Sequence, residues 1–454
     1  MQELKHLSSR KRAPETAFSR YGNGNRKIKR PGGRFFPRLS MPTGKRREQL
    51  KYLLLFVAVV LALTPCSVYV FQKTPKAVKG ATSWVRSVAE AAKAPPVSTF
   101  EAASNLLGSA AGSSDQLTAK TADGQVLHYT INGGLQKRVH DFLAESQVPY
   151  GAFVAIEPAT GRILAMTSHS SADPSWSQGS FFELYPMASL FKIIIASAAL
   201  EAKKITPETV IEFRGNSYSE NPRKWAATPR GKNNRMDVTF AMGKSINPVY
   251  GRLACDIVGK ASVMECVNRF GFNQTLLPGT PARESRAAEP QGSLELMLMG
   301  AGLDREVKIS PLHAAVMMAA IANGGMMMAP GLVDSITDAR GTQQETFTLR
   351  EVRRLVTPET AVSLRRMLSS TVTSGTSRKA FHDRRGRPLL NVEIAAKTGS
   401  INGSDPRGHY SWFAAFAPAN NPKIALVALV INHDKWKIKS SQVGEQALEE
   451  FFRR

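Results

Sequence analysis

Cysteine is nearly absent from this chain: three thiols in 454 residues supply no disulfide scaffold, and no Cys/His spacing suggests a zinc site. Cys66 falls in an apolar run. Cys255 and Cys266 lie in apolar, helix-like sequence, where a bridge and two buried free thiols both remain open. No feature calls for a metal or a cofactor, and no internal repeat is visible. Acidic residues are scarce too, 36 against 60 Lys and Arg, for a formal net charge of +24. Such an excess fits a nucleic-acid-binding domain or a charged tail beside a membrane. Its placement favours the tail. Residues 1–50 hold 14 Lys or Arg against three Glu, a net +11 in the first ninth of the chain.

The segment beyond this basic stretch has no charge at all. Residues 52–71 form an uncharged apolar run of 20 residues, and at about 1.5 Å per residue these cover a hydrocarbon core of roughly 30 Å. Lys45, Arg46 and Arg47 precede the run, and the more scattered Lys73, Lys76 and Lys79 come after it. The heavier positive side is expected to stay in the cytoplasm, with everything after residue 72 exported across the inner (cytoplasmic) membrane. A cleaved signal peptide fits less well, because the preceding basic region is so long. Pro65 likewise argues against a lipoprotein site at Cys66. A single-pass anchor over 51–72 is therefore expected, with a basic, disordered cytoplasmic tail over 1–50 and no nucleic-acid partner.

Residues 73–128 are rich in Ala, Ser and Lys and read as an extracytoplasmic tether, with a short helix over 83–93 and a flexible stretch over 104–115. A folded domain is expected over 129–454. Its opening shows a helix over 134–143 and a strand pair, 152–156 and 163–166, around a Glu-Pro-Ala-Thr-Gly-Arg turn. A second strand pair, 412–417 and 423–431, and an amphipathic helix bearing Val443, Ala447, Leu448 and Phe451 close it. Residues 185–370 read mostly as helices, among them 190–202, 240–257 and 311–322. The expected fold class is α/β: an antiparallel sheet built from N- and C-terminal strands, flanked by helices, with a largely helical insert.

Three short motifs carry chemistry. Ser189-Leu190-Phe191-Lys192 opens an apolar helix, and residues three apart share a helix face, so the amine reaches the hydroxyl. A serine needs a base, and a lysine serves once desolvation or nearby positive charge lowers its pKa. The helix N-terminus adds positive character where an oxyanion would form. Alone the pattern is weak; Ser8-Ser9-Arg10-Lys11 in the tail matches it too. Ser245-Ile246-Asn247 puts a serine and an asparagine inside apolar sequence, where they need partners. Ser219-Glu220-Asn221 has the same form but sits in a polar, turn-rich stretch. Lys397-Thr398-Gly399-Ser400 comes after the apolar run 392–396, which reads as a buried strand. Its lysine and hydroxyls suit a carboxylate, and Gly399 lets a peptide lie close.

In this order the three match S-x-x-K, S-x-N and K-T-G, the mark of penicillin-binding proteins and related β-lactamases. Roughly residues 129–452 resemble the penicillin-binding transpeptidase domain, a member of the serine DD-peptidase and β-lactamase-like superfamily. The resemblance extends through Leu184–Lys192, Val238–Asn247, Ile309–Leu312, Ala319–Gly325 and Gly161–Met166. It departs at Ala188, where Gly is usual, at Leu190, where Thr is usual, and at Ser400, where Thr is common. It implies that Ser189 attacks the penultimate D-Ala of a peptidoglycan stem peptide, with Lys192 as base and Ser245 relaying a proton. Lys397 would support that relay. Asn247 would bind the substrate amide, and Thr398, Gly399 and Ser400 would form the carboxylate-binding strand. Backbone N–H groups of Ser189 and Ser400 would make the oxyanion hole, and β-lactam antibiotics would acylate the same serine. Gly375-Thr376-Ser377 resembles a loop facing the site, and His409, Tyr410 and Trp412 are further cleft candidates.

Transpeptidation is favoured over DD-carboxypeptidase or β-lactamase activity, since no Glu-based water-activating motif is evident. A non-catalytic β-lactam sensor or cell-wall scaffold is less favoured: intact Ser189, Lys192 and Lys397 argue against a decayed site, and the basic tail over 1–50 offers no effector domain for a sensor to drive. Residues 73–128 are too few for a glycosyltransferase module, so strand polymerisation is expected from a separate glycosyltransferase.

Overall fold

The computed structural model describes residues 99–113, 116–433 and 435–453. The expected tail, the anchor over 52–71 and the helix over 83–93 lie outside the described residues. Among the described residues no helix is long and apolar enough to cross a membrane.

Five antiparallel strands form the central sheet, in the spatial order Ala395–Ser404, Arg407–Ala417, Ile424–Asn432, Tyr150–Ile156 and Ile163–His169. The two strand pairs legible in the sequence thus meet, Val427 facing Val154 across the join. The strand Ile424–Asn432 is buried throughout, so both faces of the sheet need cover. Side chains alternate between two cores, as a two-residue period requires. Val154, Val427 and Leu429 pack with the apolar helix Pro311–Ala322. Phe153, Leu426 and Ala428 pack with Gly133–Glu145 and the final helix, Ser440–Phe452.

The helices begin where their caps stand. The Asn132 side chain accepts from the Leu135 N–H at 2.8 Å, and the Ser310 hydroxyl accepts from His313 at 3.2 Å ahead of Pro311. Val443, Ala447 and Leu448 of the last helix are buried, as its sequence pattern requires.

Three expectations need correction. The tether does not run to residue 128. Thr99–Leu106 is a helix, and the strands at 117–120 and 126–129 join Val333–Thr337 and Gln343–Thr346 in a second antiparallel sheet. Strands of only four residues carry too little periodicity to be read from sequence. The segment 240–257 is not one helix. Val238–Lys244 ends at Ser245, whose φ of 58° is left-handed; Asn247–Arg252 restarts beyond it, and a wider π turn succeeds it over Leu253–Val258. Pro248, in the first turn of the new helix, is the visible signal of the break. The strand expected over 392–396 begins only at Ala395. Cys255 and Cys266 are free thiols; burial pushes Cys266 up to about 12, far from thiolate formation at neutral pH.

Candidate active site

Ser189 stands at the start of a buried helix. Ala188–Leu190 forms a short 3-10 turn that runs into Phe191–Glu201, whose apolar residues bury nearly the whole helix and Lys192 with them. Lys192 is fully buried, and among the described residues no carboxylate pairs with it. Its amine lies 2.6 Å from the Ser189 hydroxyl, 2.9 Å from Asn247 Oδ1 and 2.5 Å from the Ala301 carbonyl. Burial drives its pKa well below the ordinary lysine range, and the nearby Lys397 charge pushes the same way.

Once the amine is neutral, that geometry sets the direction of the proton. A neutral amine has two N–H groups and one lone pair. The Ala301 carbonyl only accepts. Asn247 Nδ2 faces the carbonyls of Tyr218 and Ser219 at 3.4 and 3.5 Å, which leaves its Oδ1, an acceptor, toward the lysine. Both N–H groups are therefore taken, and the lone pair is left for the Ser189 hydroxyl.

The left-handed turn at Ser245 aims its hydroxyl at Lys397, whose amine donates to it at 2.8 Å and to the Thr398 carbonyl at 2.7 Å. Lys397 is also fully buried, and burial alone lowers its pKa to about 7. The three motifs thus converge: the amine of Lys192 joins Ser189 to Asn247, and Lys397 joins Ser245 to the edge strand.

Gly399 explains itself sterically. A Cβ there would stand 3.2 Å from the Ala188 Cβ and 3.4 Å from the Ser189 backbone nitrogen. The nucleophile's backbone comes up against the strand, where a side chain would push it away. Opposite Gly399, Trp412 is buried and donates its indole N–H to the Pro186 carbonyl at 2.8 Å, pinning the nucleophile segment to the sheet. Trp412 and Tyr410 are therefore core residues; His409 stacks on Trp436 at 5.7 Å, beyond Ser400. Thr376 does face the site: its hydroxyl meets that of half-buried Thr398 at 2.5 Å. Its loop is held by the Thr376 N–H on the Gly243 carbonyl and by Lys244 on the Ser374 carbonyl. Ser400 is exposed on the strand edge. Ser219 of the second S-x-N match contributes no side chain; the 217–219 backbone instead braces Asn247, Ser217 accepting its N–H at 3.0 Å. Among the described residues no cluster of His, Cys, Asp or Glu would hold a metal.

The Penicillin binding protein transpeptidase domain family matches residues 151–453, which take in every one of these groups. The chain belongs to that family. Peptidoglycan D,D-transpeptidase PbpA of Mycobacterium tuberculosis is 30% identical over 357 residues, 70% of each chain. Stage V sporulation protein D of Bacillus subtilis is 25% identical over 340 residues, 68% of this chain and 50% of the relative. Among solved structures, the ceftriaxone acyl-enzyme of M. tuberculosis penicillin-binding protein A superposes with a TM-score of 0.60 at 27% identity, covering 72% of this chain and 80% of that one. The D,D-transpeptidase domain of a peptidoglycan glycosyltransferase from Eggerthella lenta shares the fold, with a TM-score of 0.63 at 23% identity over 79% of this chain and 91% of its own.

Proposed function

We propose a division of labour among these groups for a serine D-Ala-D-Ala transpeptidase that cross-links peptidoglycan stem peptides and is inhibited by β-lactams. Lys192, neutral because it is buried beside another cation, takes the Ser189 proton as the oxygen attacks the penultimate D-Ala carbonyl. The amide C–N bond breaks. Ser245, hydrogen-bonded to Lys397, hands a proton to the departing amine, and terminal D-Ala leaves. An amine of a neighbouring stem peptide then attacks the Ser189 ester; the ester C–O bond breaks, the new amide forms, and the serine oxygen regains its proton. Asn247 binds the substrate amide while holding Lys192. Thr398, Gly399 and Ser400 carry the substrate's carboxylate end, with Thr376 turning the Thr398 hydroxyl. Backbone N–H groups of Ser189 and Ser400 receive the oxyanion. No cofactor enters these steps.

One observation carries this reading: of the three groups touching the Lys192 amine, Ser189 alone has a proton to give. The charge-free 52–71 run and the basic residues before it support a cytoplasmic N-terminus, a single-pass anchor and an extracytoplasmic catalytic domain in the inner membrane. Polymerised glycan would then come from a separate glycosyltransferase. Membranes carrying wild type or Ser189→Ala are labelled with a fluorescent penicillin. A band in the wild type that vanishes in the variant is expected; an unlabelled wild type would refute the assignment.

A further inference from the structure

The strand bearing Lys397 does not stop at the nucleophile. Past Ser400 its free edge continues through Ile401 and Asn402, and a pocket of about 190 Å³ opens beside it, with Glu220, Arg305, His409 and Trp436 in its walls. Two segments already tied to the site build those walls. The segment whose Ala301 carbonyl holds Lys192 carries Arg305, and Arg305 Nε donates to the Asn402 carbonyl at 3.0 Å. The segment whose carbonyls brace Asn247 carries Glu220. Both side chains are exposed, and among the described residues neither has an ion-pair partner. One unpaired charge of each sign beside one small pocket suits a ligand group that itself bears both.

The direction of the substrate rests on the proposed transpeptidase chemistry. With the terminal carboxylate toward Thr376 and Thr398 and the scissile bond over Ser189, the rest of the donor peptide runs the other way, past Ser400. The stem residue next to the acylated D-Ala then falls roughly 3 to 7 Å further along the strand, beside Ile401 and Asn402. Arg305 already occupies the Asn402 carbonyl, so strand-like pairing ends there and a long side chain turns into the pocket. We propose that this pocket is the subsite for the third stem residue, and that Arg305 and Glu220 select a diamino-dicarboxylic acid whose free end carries a carboxylate and an ammonium. A lysine, or an amide in place of the carboxylate, would leave Arg305 facing no anion.

The test uses the full chain and three donor pentapeptides, with diaminopimelate, its side-chain amide or lysine at position three. Released D-Ala gives kcat/KM. Wild type is expected to favour free diaminopimelate over the other two by about tenfold, and Arg305→Gln to bring its ratio to the amide within about twofold. Glu220→Gln is expected to slow all three, since each keeps the ammonium. Equal or reversed wild-type rates, or a preference that survives Arg305→Gln, would overturn the subsite. Wild-type labelling with benzylpenicillin is read alongside. Label without side-chain preference defeats the subsite alone, whereas absence of label defeats the nucleophile assignment beneath it.

Discussion

Gly302 sits directly behind the nucleophile: a Cβ on it would stand 2.3 Å from the Ala188 carbonyl oxygen and 2.8 Å from the Ser189 Cα. Its φ of +70° is also in the left-handed region. Gly302→Ala therefore meets backbone, which has no soft side-chain end to yield, and displaces both Ser189 and the Ala301 carbonyl on Lys192. The melting temperature is expected to fall by about 3 °C or more, and penicillin acylation to slow by more than about tenfold. Unchanged acylation kinetics would show that this contact does not hold the serine.

Ala188 is the complementary case. It occupies the position where the family usually has Gly, and its φ of 53° explains that preference. An alanine in this region is strained by roughly 1 kcal/mol, partly offset because glycine gains freedom in the unfolded chain. Ala188→Gly is expected to raise the melting temperature slightly, by about 1 to 2 °C. A clear drop would mean that the Ala188 Cβ, packed 3.2 Å from where one on Gly399 would lie, contributes more than its backbone strain removes.

Thr376 orients the Thr398 hydroxyl from a neighbouring loop. Losing one such hydrogen bond is worth about 1 kcal/mol, so Thr376→Val is expected to lower kcat/KM for stem peptides about five- to tenfold. The loss should fall mainly on KM, since the partner group binds the carboxylate instead of reacting. A selective fall in kcat would instead give Thr376 a part in proton transfer.

The chemistry is more legible in the sequence than the scaffold that aims it. Ser189 and Lys192 share a helix face, and the apolar run before Lys397 signals a strand there, although the sequence puts it over 392–396 and the structure over Ala395–Ser404. Apolar runs also mark the other four strands of the central sheet and the helix Pro311–Ala322. The missing parts act through backbone. Neither the Ala301 carbonyl on Lys192 nor the 217–219 carbonyls under Asn247 leave a mark in side-chain pattern. The glycine at 302, ending the helix Ser293–Ala301, is the nearest available hint. Pro248 signals the break at Ser245, but the apolar run around it reads more strongly as unbroken helix. Ser219-Glu220-Asn221 is not a second S-x-N site, although its backbone still belongs to the real one.

That distinction can be measured. Ser219 meets the site only through its carbonyl, while the Ser245 side chain holds Lys397. Ser245→Ala is expected to slow acylation by about a hundredfold, within the range typical of positioned proton transfer. Ser219→Ala, which keeps the carbonyl, should stay within about threefold of wild type. Comparable losses in the two variants would mean that the hydroxyl of Ser219 takes part after all.

Lys397 also makes a prediction about stability. Burial lowers its pKa to about 7 from the ordinary lysine value of 10.5. Between these values the unfolded chain binds more protons than the folded one, so stability rises with pH across that window. The penalty for keeping the lysine is complete below about pH 7 and fades as pH climbs toward 10.5. Lys397→Met removes the buried amine at similar length, though it leaves the Ser245 hydroxyl and Thr398 carbonyl without that donor. The variant should lose transpeptidation yet melt about 2 to 4 °C above wild type near pH 6.5. Thermal scans from pH 6 to 10 should show the gain shrinking steadily. A difference that stays flat or grows with pH would mean that Lys397 is not destabilised by burial, and that its charge is compensated in the folded protein.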